Sequence, residues 1–130
     1  MASRAEDWFR QAERDLRHAR DAMDRETFEW AAFAAQQAAE KAVKAVYQKL
    51  SAEARGHSVT QLLSSLPAQV RPSDALIEIA KELDRHYITP RYPNSYPEGA
   101  PMDFYTRAEA QRAIEGAERI LGHCKDHVLR

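Results

Sequence analysis

Apolar residues fall along this chain at helical spacing almost from its start. Trp8, Ala12, Leu16, Ala19 and Met23 recur every three or four positions, with arginines and aspartates between them, the signature of a helix with one buried face. The pattern predicts a first helix from about Arg4 to Asp24, opened by a Ser3/Glu6 capping box. A second helix is predicted from Glu26–Phe28 to about Leu50, with Phe28, Ala32, Ala35, Ala39, Ala42, Val46 and Leu50 as its main stripe. Trp30, Phe33, Ala34, Ala38 and Ala45 add apolar groups on its other sides. A helix apolar nearly all round belongs at the centre of a bundle or against another subunit. Ser58 caps a short helix bearing Val59, Leu62, Leu63 and Leu66, which Pro67 stops, and Ser73 caps a fourth helix that reaches to near Tyr87. Thr106 and Glu109 form a second capping-box pair before a last helix marked by Ala110, Ala113, Ile114, Ala117, Ile120, Leu121, Cys124 and Val128.

Between the fourth and last helices the periodicity fails. Residues 85–105 hold four of the five tyrosines and four of the six prolines. Proline lacks an N–H and fixes φ, so this density excludes a continuous helix and predicts a stiff, extended loop. No segment alternates with period two while rich in β-branched residues. The expected fold is all-α: one domain over residues 1–130, an antiparallel bundle of four to five helices with a long Pro/Tyr-rich loop before the last.

Composition narrows the chemistry. The 19 lysines and arginines against 20 acidic residues leave a formal charge of −1, which argues against a generic polyanion binder. A compact pocket for one phosphate-bearing ligand remains compatible with it. The single cysteine, Cys124, permits no internal disulfide and sits at a core spacing, as a buried thiol would. The charged stretch Met1–Asp7 lacks a signal-peptide core, and no apolar run approaches the ~20 residues of a membrane span. A soluble cytoplasmic protein without membrane contact is expected.

Candidate chemistry resides in side chains, because four glycines leave the backbone few places to cradle a ligand. Gln37, Lys41 and Lys44 lie at i, i+4 and i+7, sharing a polar stripe on an otherwise apolar helix. That stripe is either a solvated face or a pair of ammonium groups presented to phosphate. Glu40 adjoins Lys41 in sequence but points elsewhere on the helix. His57, in the Gly56-His57-Ser58 link, either bonds to a helix end or faces the lysines. In the loop, Arg91 could clamp phosphate, while Tyr87 and Tyr92 either stack a base or hold the loop down. No HExxH, cysteine pair, GxSxG or Gly-rich phosphate loop is present, so no catalytic residue, metal or cofactor is assigned.

The block Phe33-Ala34-Ala35-Gln36-Gln37-Ala38-Ala39-Glu40-Lys41-Ala42-Val43-Lys44-Ala45 resembles the second helix of HEPN domains. Gly56-His57-Ser58, Leu62-Leu63, Leu83-Asp84, Tyr87-Ile88, Arg91-Tyr92-Pro93-Asn94 and Tyr105-Thr106 are similar to that family's later elements, in family order. The resemblance implies a helical homodimer, often encoded beside a minimal nucleotidyltransferase. It also implies one of two activities. Some members are ribonuclease toxins of toxin–antitoxin modules, marked by an arginine followed by histidine after four to six residues; others bind nucleotides or regulate. Here Arg14/His18 and Arg119/His123 are separated by three residues, Arg85 abuts His86, and Arg91 has no histidine in range. The chain is therefore read as a non-catalytic nucleotide- or phosphate-binding homodimer working with a nucleotidyltransferase, with Lys41, Lys44, His57, Tyr87, Arg91 and Tyr92 as ligand contacts. A ribonuclease toxin acting on RNA is the alternative.

Overall fold

A computed structural model describes residues 3–129; Met1 and Ala2, which begin the charged amino-terminal stretch, and Arg130 lie outside it. Among these residues six α-helices follow in order: α1 (Ala5–Asp24), α2 (Phe28–Lys49), α3 (Val59–Ser64), α4 (Asp74–Asp84), α5 (Pro101–Phe104) and α6 (Arg107–Val128). No strand occurs among the described residues. The three-residue turn between α1 and α2 folds them back on each other, with Glu26 at φ 62° and Thr27 Oγ1 donating to the Ala22 carbonyl at 3.1 Å. The bundle is all-α and antiparallel, as the periodicity requires.

Three of the expected caps form. Ser58, Ser73 and Thr106 accept from the backbone N–H of Gln61, Leu76 and Glu109 respectively, each satisfying a donor that a helix start leaves orphaned. The Ser3/Glu6 box does not form. Arg4 occupies the N-cap of α1 without a side-chain cap, and the Ser3 hydroxyl instead accepts from Ala5 N–H and donates to the Gln48 carbonyl.

α2 is the axis of the molecule, packed by α1 and α6 along its length and touched by α3, α4 and α5. Ala31, Ala32, Ala35, Ala38, Ala39, Ala42 and Ala45 are wholly buried, and such small side chains let neighbouring helices approach from several sides. α1 presents Ala5, Phe9, Ala12, Leu16, Ala19, Ala22 and Met23 to this core. Phe9 thus takes the interior place expected of Trp8, which is only partly buried. Cys124 is buried in α6, and the apolar surroundings push its thiol pKa well above the ordinary value.

The Pro/Tyr segment corrects the expectation of an extended loop. α4 ends at Asp84, before Tyr87, and the chain turns through two 3-10 segments, Thr89–Arg91 and Pro93–Ser95, before α5. Proline is tolerated in a first helical turn, where its missing N–H would have no partner. Both turns carry one there, and Tyr92 and Tyr96 are the extended joints flanking the second turn. The loop is thereby shortened and pressed against α2.

Candidate functional site

The site assembles where the α2–α3 link, the end of α4 and the Pro/Tyr loop meet the middle of α2. Gly56 adopts φ 83°, a conformation costly for residues with a Cβ, and turns the link toward α2. Asp84 then anchors the link from the last turn of α4. Its carboxylate accepts from Ser58 Oγ at 3.0 Å, Val59 N–H at 2.7 Å and Thr60 N–H at 3.2 Å. A carboxylate over a helix N-terminus is favourable both as acceptor and as a negative charge at the positive pole. This contact sets the position of His57.

Glu40 is the polar node beneath. It is 4% exposed, on the α2 face turned toward His57. Oε2 lies 3.1 Å from Lys44 Nζ and 3.1 Å from His57 Nδ1, while Oε1 accepts from Gln36 Nε2 at 3.2 Å. Gln36, with no exposed surface, also donates to the His57 carbonyl at 3.3 Å and accepts from Gln37 at 2.8 Å. A carboxylate buried on an apolar helix is tolerated because each oxygen has a partner.

Above the node the rings form a stack. The His57 imidazole lies on Tyr87, centroids 4.6 Å apart and planes 16° from parallel. The Arg91 guanidinium lies 4.6 Å from the Phe33 centroid, 4.8 Å from Tyr87 and 5.3 Å from Tyr92. Its Nε donates to the Tyr87 carbonyl at 2.7 Å. These contacts hold the guanidinium plane while Nη1 and Nη2 make no hydrogen bond or ion pair among the described residues. An arginine restrained this way presents a preset fork, and little side-chain freedom is left to lose on binding an oxyanion.

Five of the six expected contacts, Lys44, His57, Tyr87, Arg91 and Tyr92, therefore come together. Lys41 does not. Its ammonium pairs with Asp15 of α1, on the side of α2 facing a shallow cleft with Arg10, Arg14 and Arg17. A helix turns about 100° per residue, so positions i+4 and i+7 of one stripe diverge enough for different neighbours to claim them. Sequence reasoning missed Glu40, Gln36, Phe33 and Asp84 as parts of the site. A glutamate and glutamine flanked by alanines on an apolar helix were the available signal for the first two. Two other histidines are engaged elsewhere: His86 Nδ1 on Tyr105 Oη and His123 Nε2 on the Val70 carbonyl, both at 2.8 Å. No group of three or more metal-ligating side chains occurs among the described residues, and no described helix is long and apolar enough to cross a membrane.

The family model of the HEPN domain matches residues 5–127. The chain belongs to the HEPN domain family. Solved structures agree with that placement. TT1696 from Thermus thermophilus superposes with a TM-score of 0.94 at 42% identity, covering 97% of this chain and 99% of that one. ST0689, an archaeal HEPN homologue, gives 0.79 at 43% identity over 98% and 99%. The HEPN domain protein tm0613 from Thermotoga maritima gives 0.76 at 37% identity over 95% and 98%. Among curated proteins, this HEPN domain is 28% identical over 128 residues to one named "Putative toxin MJ1304" from Methanocaldococcus jannaschii, covering 92% of this chain and 84% of that protein.

Proposed function

We propose that this HEPN domain is a non-catalytic module that binds a nucleotide or other phosphate-bearing ligand, acts as a homodimer, and works with a minimal nucleotidyltransferase. The observation that carries the binding reading is the Arg91 fork, held by three rings with both terminal nitrogens free, beside His57 and Lys44. The guanidinium takes two phosphate oxygens in parallel. His57 Nε2 lies on a half-exposed ring and supplies a further donor or acceptor. Tyr92, 46% exposed, offers a ring face for the base. Trp30, Ile88, Met102 and Phe104, on α2, the loop and α5, are large apolar side chains left exposed, surface suited to a second copy of the chain.

A second reading has its own observation. Glu40 orients His57 through Nδ1 as a carboxylate orients a general base, and Arg91 lies across the Tyr87 ring from the same neighbourhood. Folding thus supplies an arginine and a histidine that the linear spacing does not, and the relative named as a toxin fits this. In that reaction His57 Nε2 takes the 2′-hydroxyl proton and the 2′ oxygen attacks the adjacent phosphorus. The 5′ oxygen leaves with a proton from water, and Arg91 steadies the added charge.

One experiment separates them. Labelled RNA is incubated without divalent metal with wild type, His57→Ala and Arg91→Ala, and nucleotide binding is measured on the same samples by calorimetry. The binding reading expects intact RNA, with saturable nucleotide binding weakened by about tenfold or more in Arg91→Ala. Cleavage abolished by His57→Ala refutes it and establishes the ribonuclease.

A further inference from the structure

A second groove, of about 510 Å³, opens between α4 and α6, within the range of small-molecule sites. Its base is apolar: Ile79 and Leu83 from α4, Ala113 and Gly116 from α6. Gly116 is what lets the helices close there, since a Cβ would stand 2.8 Å from Ile79 Cγ2. Tyr96 forms part of the wall, its ring braced by a stack on Phe104 at 4.3 Å.

The polar end of this groove is His86. The residue is 9% exposed, with Nδ1 2.8 Å from Tyr105 Oη. Burial raises the tyrosine pKa and lowers that of the histidine, so both are neutral near pH 7. Tyr105 Oη and His86 Nδ1 share one hydrogen bond, and with the hydroxyl as its donor the imidazole carries its proton on Nε2. Nε2 makes no hydrogen bond within the protein among the described residues, and His86 lines the groove. It opens to the groove as a donor. Arg85, Arg112 and Arg119 line the same space and make no ion pair among the described residues. Glu82, Glu109 and Glu115 also line it. They balance the arginines, so a polyphosphate or RNA strand would meet as much repulsion as attraction.

We propose that this groove is a second ligand site, taking a small molecule with one compact oxyanion on a flat apolar body. The oxyanion, a carboxylate or a monophosphate, meets His86 Nε2–H and the arginines. The flat body lies on Ile79, Leu83 and Ala113 beside Tyr96. The site is independent of the Arg91 stack, although His86 and Tyr87, adjacent in sequence, belong to the two different sites.

The test follows the ring signals of His86, Tyr96 and Tyr105 by NMR in the full chain. Phenylacetate and adenosine 5′-monophosphate are titrated separately, into wild type and into Arg91→Ala, in which the first site is disabled. Saturable shifts of the His86 and Tyr96 rings that persist in Arg91→Ala are expected. Arg112→Gln combined with Arg119→Gln should weaken the binding about tenfold or more, because charge-assisted contacts are lost. A response to phenylacetate alone assigns a carboxylate head, and to the nucleotide alone a phosphate head. No saturable shift with either probe, or unchanged affinity in the double arginine variant, overturns the proposal.

Discussion

Replacing Glu40 by glutamine tests the polar node most directly. The substitution keeps shape but turns one oxygen into a donor. At the Oε2 position that donor would face Lys44 Nζ; at Oε1 it would face Gln36 Nε2. In either arrangement Lys44, whose side chain is 15% exposed, loses its anionic partner, which was 6% exposed. Breaking a buried pair by removing one member costs about 3–5 kcal/mol. The remaining access of Lys44 to water argues for the lower end, about 3 kcal/mol. At roughly 2.1 cal/mol/K of unfolding entropy per residue, this 130-residue chain loses about 3.7 °C of Tm per kcal/mol, so Tm should fall by about 11 °C. Glu40→Met combined with Lys44→Met should recover most of that, because removing both charges leaves no stranded ion. His57, half-exposed, can turn to water, and Gln36 keeps its bond to the His57 carbonyl. Urea unfolding of the wild type, Glu40→Met, Lys44→Met and the double closes the cycle, with Glu40→Gln measured beside them. Glu40→Gln within about 1 kcal/mol of wild type, or a double variant no more stable than the single, would refute the node as a coupled buried pair.

Two further outcomes follow. The folded pKa of His86 is lowered, first by burial and then by Arg112 and Arg85 against the opposing pull of Glu109 and Glu82; below about pH 6.5 the unfolded chain therefore binds more protons than the folded one, and stability falls with acidification. His86→Gln should flatten that part of the stability–pH curve between about pH 7 and 5, and parallel curves would sink the assignment. Light scattering of the wild type should report a dimer that Trp30→Lys combined with Met102→Lys shifts toward monomer, and a wild-type monomer at high micromolar concentration would remove the dimer reading.

Helices and their starts were legible because their causes are local. Apolar groups every three or four residues define a buried stripe, and Ser58, Ser73 and Thr106 reach a backbone N–H three residues ahead. Helix ends were less legible. α4 stopped at Asp84, and Tyr87 beyond it packs on His57 and Phe33; at one start, too, Ser3 bonded to Gln48, 45 positions away, rather than forming a box with Glu6. The prolines correctly excluded a long helix, yet they could not say whether the chain would extend or coil into 3-10 turns, since φ near −65° serves both.

The sequence alone therefore determined an α-helical bundle around an alanine-rich axis, and which polar residues were available to a site. Only the tertiary structure decided which of them meet. Lys41 and Lys44 look equivalent along one stripe, but α1 carries Asp15 to the first while Glu40 keeps the second. Trp8 and Phe9 compete for the same interior place, and the positions of α2 and α6 decided for Phe9. Arg91 gains its preset geometry from Phe33, 58 residues earlier, and His57 from Asp84 and Glu40. A local pattern reports which face of its own helix is apolar; it contains no record of the neighbour that packs against that face, and the site is made of such neighbours.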